Sequence, residues 1–250
     1  MDRNRLLEIL NNVASGELQP DRALADLVDF PSARLDYAHL DTHRYLRRGI
    51  PETVFGQGKT PGQIEGIVER LTDGGDPVLV TRVSEEAAGP LLHRWPEADY
   101  DPSSRTFLLG SLPRAEGGRI LVLTAGTSDI PVAEEAARTA AFLGRDVHRA
   151  YDVGIAGLHR LAEYRSEMGD ASVIIAVAGM EGALPGVVAG LVSVPVIGVP
   201  TSIGYGASLG GFTSLLTMLS SCACGLTVVN VDNGYGAAVA AHLMLGGKET

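Results

Sequence analysis

The chain has 250 residues, enough to bury a sizeable core in one large domain or one and a half small ones, with 45% hydrophobic but only 5% aromatic content. A formal net charge of −10 excludes a duplex or single-strand nucleic-acid surface, which needs a basic footprint to displace counterions, and leaves an anionic small ligand to a local cationic pocket. Two cysteines do not make a disulfide framework, so catalysis, metal binding or packing remain for them.

The first residues, Met1-Asp2-Arg3-Asn4-Arg5-Leu6-Leu7-Glu8, show neither an apolar core nor a small-residue cleavage site, and a cytoplasmic protein is expected. Residues 3–14 and 20–28 carry apolar side chains at helical spacing about Gly16 and Pro20, which predicts an amphipathic helical hairpin. Residues 33–44 read as strand, and Gly49 to Thr60 as a Gly-rich passage. Thr60, Pro61 and Gln63 supply an N-cap, a first-turn proline and a capping-box partner for a helix running to about Leu71 and stopping before Gly74-Gly75. A strand at 78–83, a helix from Ser84 and a strand at 106–109 complete a small α+β unit. The Pro/Gly-containing stretch from Gly110 to Gly118 is the best boundary, dividing an N-terminal α+β domain with a helical arm (1–117) from a second domain (118–250).

Beyond that boundary short apolar strands at 119–124, 145–151, 172–178, 195–199 and 226–231 alternate with helices of about ten to fourteen residues, the pattern of a parallel sheet covered on both faces. The most apolar stretch, Val173 to Val199, is broken by Glu181, Pro185 and Pro195, so it reads as a buried strand-helix-strand unit and no membrane span is expected. In such sheets ligands bind outside the carboxyl ends of the strands. Those ends carry Gly126-Thr127-Ser128-Asp129, Tyr151-Asp152, Gly179-Met180-Glu181-Gly182, Pro200-Thr201-Ser202 and Asn230-Val231-Asp232-Asn233.

At the first of them glycine admits a phosphate to the backbone and Thr127 and Ser128 offer donors, although Ser128 or Asp129 reads equally as a simple N-cap. Glu181, between an apolar strand and a helix near Leu184, is placed for desolvation and proton transfer, or for contact with that helix start. Lys59, one of only two lysines, sits in Gly56-Gln57-Gly58-Lys59-Thr60 without Walker spacing. Arg44, Arg47 and Arg48 upstream would form the missing cationic pocket or a plain charged surface. The histidines show no metal-ligand spacing.

The second half resembles the phosphoribosylaminoimidazole carboxylase (PurE) fold, a flavodoxin-like three-layer parallel sheet. Gly126-Thr127-Ser128-Asp129 is similar to that family's Gly-Ser-x-Ser-Asp loop, and Leu184-Pro185-Gly186 and Pro195-Val196-Ile197-Gly198-Val199-Pro200 to its next segments. Two positions depart: Ala183 stands where the purine enzymes have a histidine, and Cys222-Ala223 where they carry Met-Pro. With Gly49-Ile50-Pro51-Glu52, Gly56 to Thr60, Ser221-Cys222-Ala223-x-Gly225 and Asn230 to Gly236, nearly the whole chain resembles the LarB family, in which proline is common at the position of Cys224.

This resemblance implies carboxylation of the pyridinium ring of nicotinic acid adenine dinucleotide by carbon dioxide or bicarbonate. It also implies hydrolysis of the phosphoanhydride, giving pyridinium-3,5-biscarboxylic acid mononucleotide and AMP for nickel-pincer nucleotide biosynthesis. It assigns Cys222 as nucleophile and Glu181 or Asp129 as base. Substrate contacts fall to Gly126, Thr127, Ser128, Asp152, Gly179, Met180, Arg44 and Arg47. Lys59 and a magnesium ion on Asp129 or Asp152 would neutralise phosphate charge, and a homo-octamer is expected. The other readings are a purine-pathway carboxylase or mutase and a non-catalytic nucleotide-binding subunit.

Overall fold

The computed structural model describes residues 3–27 and 30–246, which divide into two compact units. One holds the chain up to Tyr100 with Phe107–Gly110; the other holds Asp101–Thr106 and the residues from Ser111 on.

In the first unit, helices α1 (Arg3–Ser15) and α2 (Pro20–Asp26) form the expected N-terminal pair; Val28, the predicted end of the second, lies outside the described residues. Strands β1 (Ala33–Leu35) and β2 (Ala38–Leu40) pair antiparallel. The strand pattern expected to continue to Arg44 ends earlier, because Arg44 opens a short helix, α3 (Arg44–Arg48), closed by left-handed Gly49. Next come β3 (Thr53–Phe55), α4 (Pro61–Thr72), β4 (Val78–Thr81), α5 (Glu85–Arg94), β5 (Asp99–Asp101) and β6 (Thr106–Leu109). They build a sheet of order β3-β4-β6-β5 with β3 and β4 parallel.

Helix α4 begins where the sequence places it. Thr60 Oγ1 accepts from the Gln63 backbone N–H at 3.2 Å, and Gln63 Oε1 accepts from the Thr60 N–H at 3.0 Å. Ile64, Ile67, Val68 and Leu71 then line one helix face and bury against Val54, Val78 and Val80 of the sheet.

The second unit contains β7 (Arg119–Thr124), α6 (Ile130–Phe142), β8 (Asp146–Ala150), α7 (Leu158–Glu163), α8 (Arg165–Asp170), β9 (Val173–Ala178), α9 (Leu184–Ala189), β10 (Val196–Pro200), α10 (Phe212–Leu219), β11 (Leu226–Val228) and α11 (Gly234–Met244). The five strands are all parallel in the order β11-β10-β9-β7-β8. Alternation along β7 sends Leu121 and Leu123 to a core shared with α9, and Ile120 and Val122 to a second core under α6 and α11. The architecture is therefore a three-layer α/β sandwich. On the α6/α11 side, Ala133, Ala136, Ala137 and Ala140 meet Ala237, Ala238 and Ala241, small side chains that let the helices approach closely.

Among the described residues no helix is long and apolar enough to cross a membrane. The helices are shorter than the sequence rhythm suggests: the segment before β9 breaks at Tyr164 into two six-residue pieces.

Candidate functional site

Strand order fixes where the polar loops meet. From β7 the chain steps to β8 on one side, while β9 pairs on the other, so the carboxyl ends of β7 and β9 flank a topological switch point. Two backbone approaches keep the loops there tight. A Cβ on Gly154 would lie 2.5 Å from the Ala125 carbonyl, and one on Gly179 would lie 2.4 Å from the Ile203 carbonyl.

Asp129 ties these loops together. Its side chain is 3% exposed; Oδ2 accepts from the Gly126 N–H at 3.0 Å and Oδ1 from the Thr201 hydroxyl at 2.7 Å, with a further backbone hydrogen bond from Gly179. Burial raises its pKa above the ordinary carboxylate value, against the lowering by Thr201, Gly126 and Gly179. Three sheet-edge loops thus converge on one carboxylate. Thr127 and Ser128, on the turn between Gly126 and Asp129, are exposed and face no such demand. The alternative of a side-chain N-cap at Asp129 does not hold; the contact runs back to Gly126 instead.

Asp152 adopts a left-handed backbone (φ 58°) after β8, where its N–H donates to Thr124 Oγ1 at 2.9 Å and its carboxylate pairs with Arg160. The magnesium ion implied by the resemblance does not fit these two carboxylates. Both oxygens of Asp129 are spent on protein donors, and Asp152 already faces a guanidinium. Among the described residues no three His, Cys, Asp or Glu side chains gather as a ligand set.

Met180 (φ 50°), Glu181 and Gly182 (φ 70°) form a tight turn closed by the Gly182 N–H on the Gly179 carbonyl at 2.8 Å. The turn pushes Met180 and Glu181 outward, and Glu181 is exposed. The desolvation expected of Glu181 falls on Asp129 instead, because only Asp129 is turned beneath the loops.

Cys222 is free and exposed on the loop from α10 to β11. That loop ends at Gly225, whose carbonyl accepts from Val196 at the amino end of β10, and Ser221 packs near Gly186 in the first turn of α9. The structure therefore groups Gly126, Asp129, Gly179 and Thr201 but sets Cys222 on a separate loop.

In the first unit, Lys59 Nζ donates to the Phe55 carbonyl at 2.7 Å, and the Arg82 guanidinium lies 5.4 Å over the Phe55 ring while donating to Gln57 at 3.3 Å. Both loops follow the carboxyl ends of the parallel pair β3 and β4. Arg44 and Arg47 do not supply an open cationic pocket. Arg44 pairs with Glu52 at 3.2 Å, and Arg47 binds both oxygens of Asp41, holding that carboxyl below its usual range.

Sequence reasoning placed Thr201 at the sheet edge but gave it no role, and it missed Arg160; these are the partners of the two aspartates. A hydroxyl directly after a fully apolar strand was the available signal for Thr201. Tyr151, named only as a strand end, has a hydroxyl that donates to Glu134 at 2.6 Å beside the Arg149–Glu134 pair; burial and Glu134 push its pKa up.

The parallel three-layer sheet with polar loops drawn together at its switch point is the frame of the second unit, and the family matches over the chain support an enzyme of the PurE-related, carboxylase/mutase-type class. Residues 119–250 match the AIR carboxylase family and residues 32–111 the LarB/PurE-like N-terminal domain. The chain belongs to the LarB family, with a PurE-like C-terminal domain. It is similar to an uncharacterized protein of Methanocaldococcus jannaschii, 44% identical over 214 residues, with 82% of each chain covered. It is also similar to the N5-carboxyaminoimidazole ribonucleotide mutase of the same organism, 33% identical over 134 residues, covering 52% of this chain and 80% of that one. Among solved structures, a Treponema denticola PurE2 variant aligns at a TM-score of 0.40 and 23% identity, over 50% of this chain and 78% of that one.

Proposed function

We propose that the chain carboxylates the pyridinium ring of nicotinic acid adenine dinucleotide through a Cys222 adduct and hydrolyses the phosphoanhydride, giving pyridinium-3,5-biscarboxylic acid mononucleotide and AMP. The observation that carries this reading is an exposed, unpaired thiol on a loop of a PurE-like domain that follows a LarB-like N-terminal domain.

The chemistry requires a nucleophile because a pyridinium ring is electron-poor and does not attack carbon dioxide. Addition of the Cys222 thiolate para to the ring nitrogen makes an enamine, whose neighbouring carbon forms the bond to carbon dioxide. A base then removes the proton from that carbon, and the electron pair expels the thiolate and restores the aromatic ring. Glu181, exposed beside the switch point, is the candidate base. Asp129, with both oxygens engaged, orients the loops that carry Gly126, Gly179 and Thr201. Lys59 is assigned to phosphate charge during anhydride cleavage.

The similarity to N5-carboxyaminoimidazole ribonucleotide mutases favours one second reading, a purine-pathway mutase. Ala183 weighs against it, standing where the purine enzymes have a histidine. Mass spectrometry of products from nicotinic acid adenine dinucleotide and bicarbonate tests the two. A carboxylated ring with released AMP supports the first reading. An unchanged dinucleotide, with turnover of N5-carboxyaminoimidazole ribonucleotide, replaces it with the second.

A further inference from the structure

Cys222 and Cys224 are both free and both exposed on the loop between α10 and β11. Ala223 between them turns the other way and packs against the core beneath α9, and Ser221 before them is half-buried. Burial thus alternates along Ser221, Cys222, Ala223 and Cys224: in, out, in, out. This alternation places Cys222 and Cys224 on the same, outer side of the loop, with Cys224 opening the turn that ends at Gly225.

Even fully extended, two residues of chain separate their Cα atoms by no more than about 6.6 Å, and a turn brings them closer, within the roughly 4.4–6.8 Å over which a disulfide forms. The backbone that must adjust is also unencumbered. Gly225 is left-handed (φ 84°) and has no atom within 4 Å of where a Cβ would stand.

We propose that Cys222 and Cys224 are a reversible dithiol–disulfide pair, oxidised by low-molecular-weight disulfides, and that the bond withdraws the Cys222 thiolate from nucleophilic use. The second clause rests on the reading of Cys222 as the carboxylation nucleophile; the bond itself does not. One cysteine thiolate attacks the small disulfide, forming a mixed disulfide and expelling the first small thiolate. The other cysteine gives its proton to solvent and attacks the protein sulfur of that mixed disulfide, expelling the second. The protein loses two hydrogens, and the small disulfide gains them as two thiols. Closure outruns capture by another small thiol because the second cysteine is held at high effective concentration.

The test equilibrates the full chain in glutathione buffers of increasing oxidised fraction, traps free thiols by alkylation in acid, and weighs the proteolytic peptide holding both cysteines. The expected product is a peptide short of two hydrogens, with no alkylation at Cys222. Cys224→Ala should instead retain glutathione on Cys222, and only at an oxidised fraction at least about tenfold higher, since it lacks the intramolecular step. Glutathione retained on both cysteines of the unmodified chain, a bond between two chains, or a midpoint unmoved by Cys224→Ala overturns the proposal. The same samples are assayed for ring carboxylation. Loss on oxidation, restored by dithiothreitol, supports the masking; full carboxylation by the disulfide form overturns it and the nucleophile assignment together, with the bond established separately by mass.

Discussion

Asp129 illustrates how one residue can be both well bonded and costly. The Thr201 hydroxyl and the backbone N–H groups of Gly126 and Gly179 favour its anion, yet burial outweighs them and lifts its pKa. The sign of the stability effect follows. Between the ordinary carboxylate value of about 4 and the raised folded value, the folded chain keeps a proton that the unfolded chain has lost, so stability falls as pH climbs across that window. Asp129→Asn should remove this slope, while adding a constant loss of about 1–3 kcal/mol because its amide nitrogen cannot accept where Gly126 or Thr201 donates. Denaturant midpoints measured from about pH 4 to pH 7 check this; parallel slopes for the two proteins would mean the carboxylate is hydrated after all. At Cys222 the expectation concerns chemistry. Serine is a far poorer nucleophile than a thiolate near neutral pH, so Cys222→Ser should abolish ring carboxylation while Cys224→Ser keeps most of it. Product mass spectrometry decides, and full activity in the Cys222 variant would sink the covalent route. Lys59→Ala should depress AMP release more than carboxylation and Glu181→Gln the reverse, each by about a hundredfold. A parallel fall of both products in both variants would defeat that division of labour.

Loops at the sheet edge depend on glycines that no side chain can replace. Gly154→Ala would drive a methyl group to 2.5 Å from the Ala125 carbonyl, a backbone atom that cannot swing aside, and should cost about 1–3 kcal/mol. Gly169→Ala, in α8 with nothing within 4 Å, should instead gain about 0.5–1 kcal/mol through helix propensity. Urea midpoints compare the two; equal shifts would refute the close-approach argument. These contrasts also mark how far the sequence could be read. Strand β7 at 119–124, the capping box at Thr60 and the polar residues at the strand ends follow from local pattern, because a parallel sheet leaves apolar runs and a cap needs only four neighbouring residues. Strand β3 was hidden in the Gly-rich passage: three residues show too little periodicity to separate from a loop. The Thr201–Asp129 bond joins residues 72 apart in sequence, and no local spacing encodes such a contact. The same limit explains Arg44 and Arg47. A run of arginines looks like a ligand pocket until the fold brings Glu52 and Asp41 beside it.

At the scale of the whole molecule, α10 carries large apolar side chains on its exposed side. Phe212, Leu216 and Leu219 recur at helical spacing on its exposed side, while Ser214 and Met218 face inward; Tyr205 and Leu209 just before it are 81% and 71% exposed. Single exposed apolar side chains are ordinary, but five large ones within fifteen residues form a patch of the kind that marks an association surface. A second copy of the chain is the occupant expected, in line with the oligomer implied by the LarB resemblance. Copies carrying a net charge of −10 repel one another, so apolar burial has to outweigh that repulsion, and association should strengthen with added salt as the repulsion is screened. Replacing Leu216 and Leu219 together by lysine should leave the circular dichroism of the fold unchanged and reduce the mass seen by light scattering to that of a smaller assembly. A wild-type mass equal to one chain at all concentrations, or a double variant that assembles as before, would show that this face has another use.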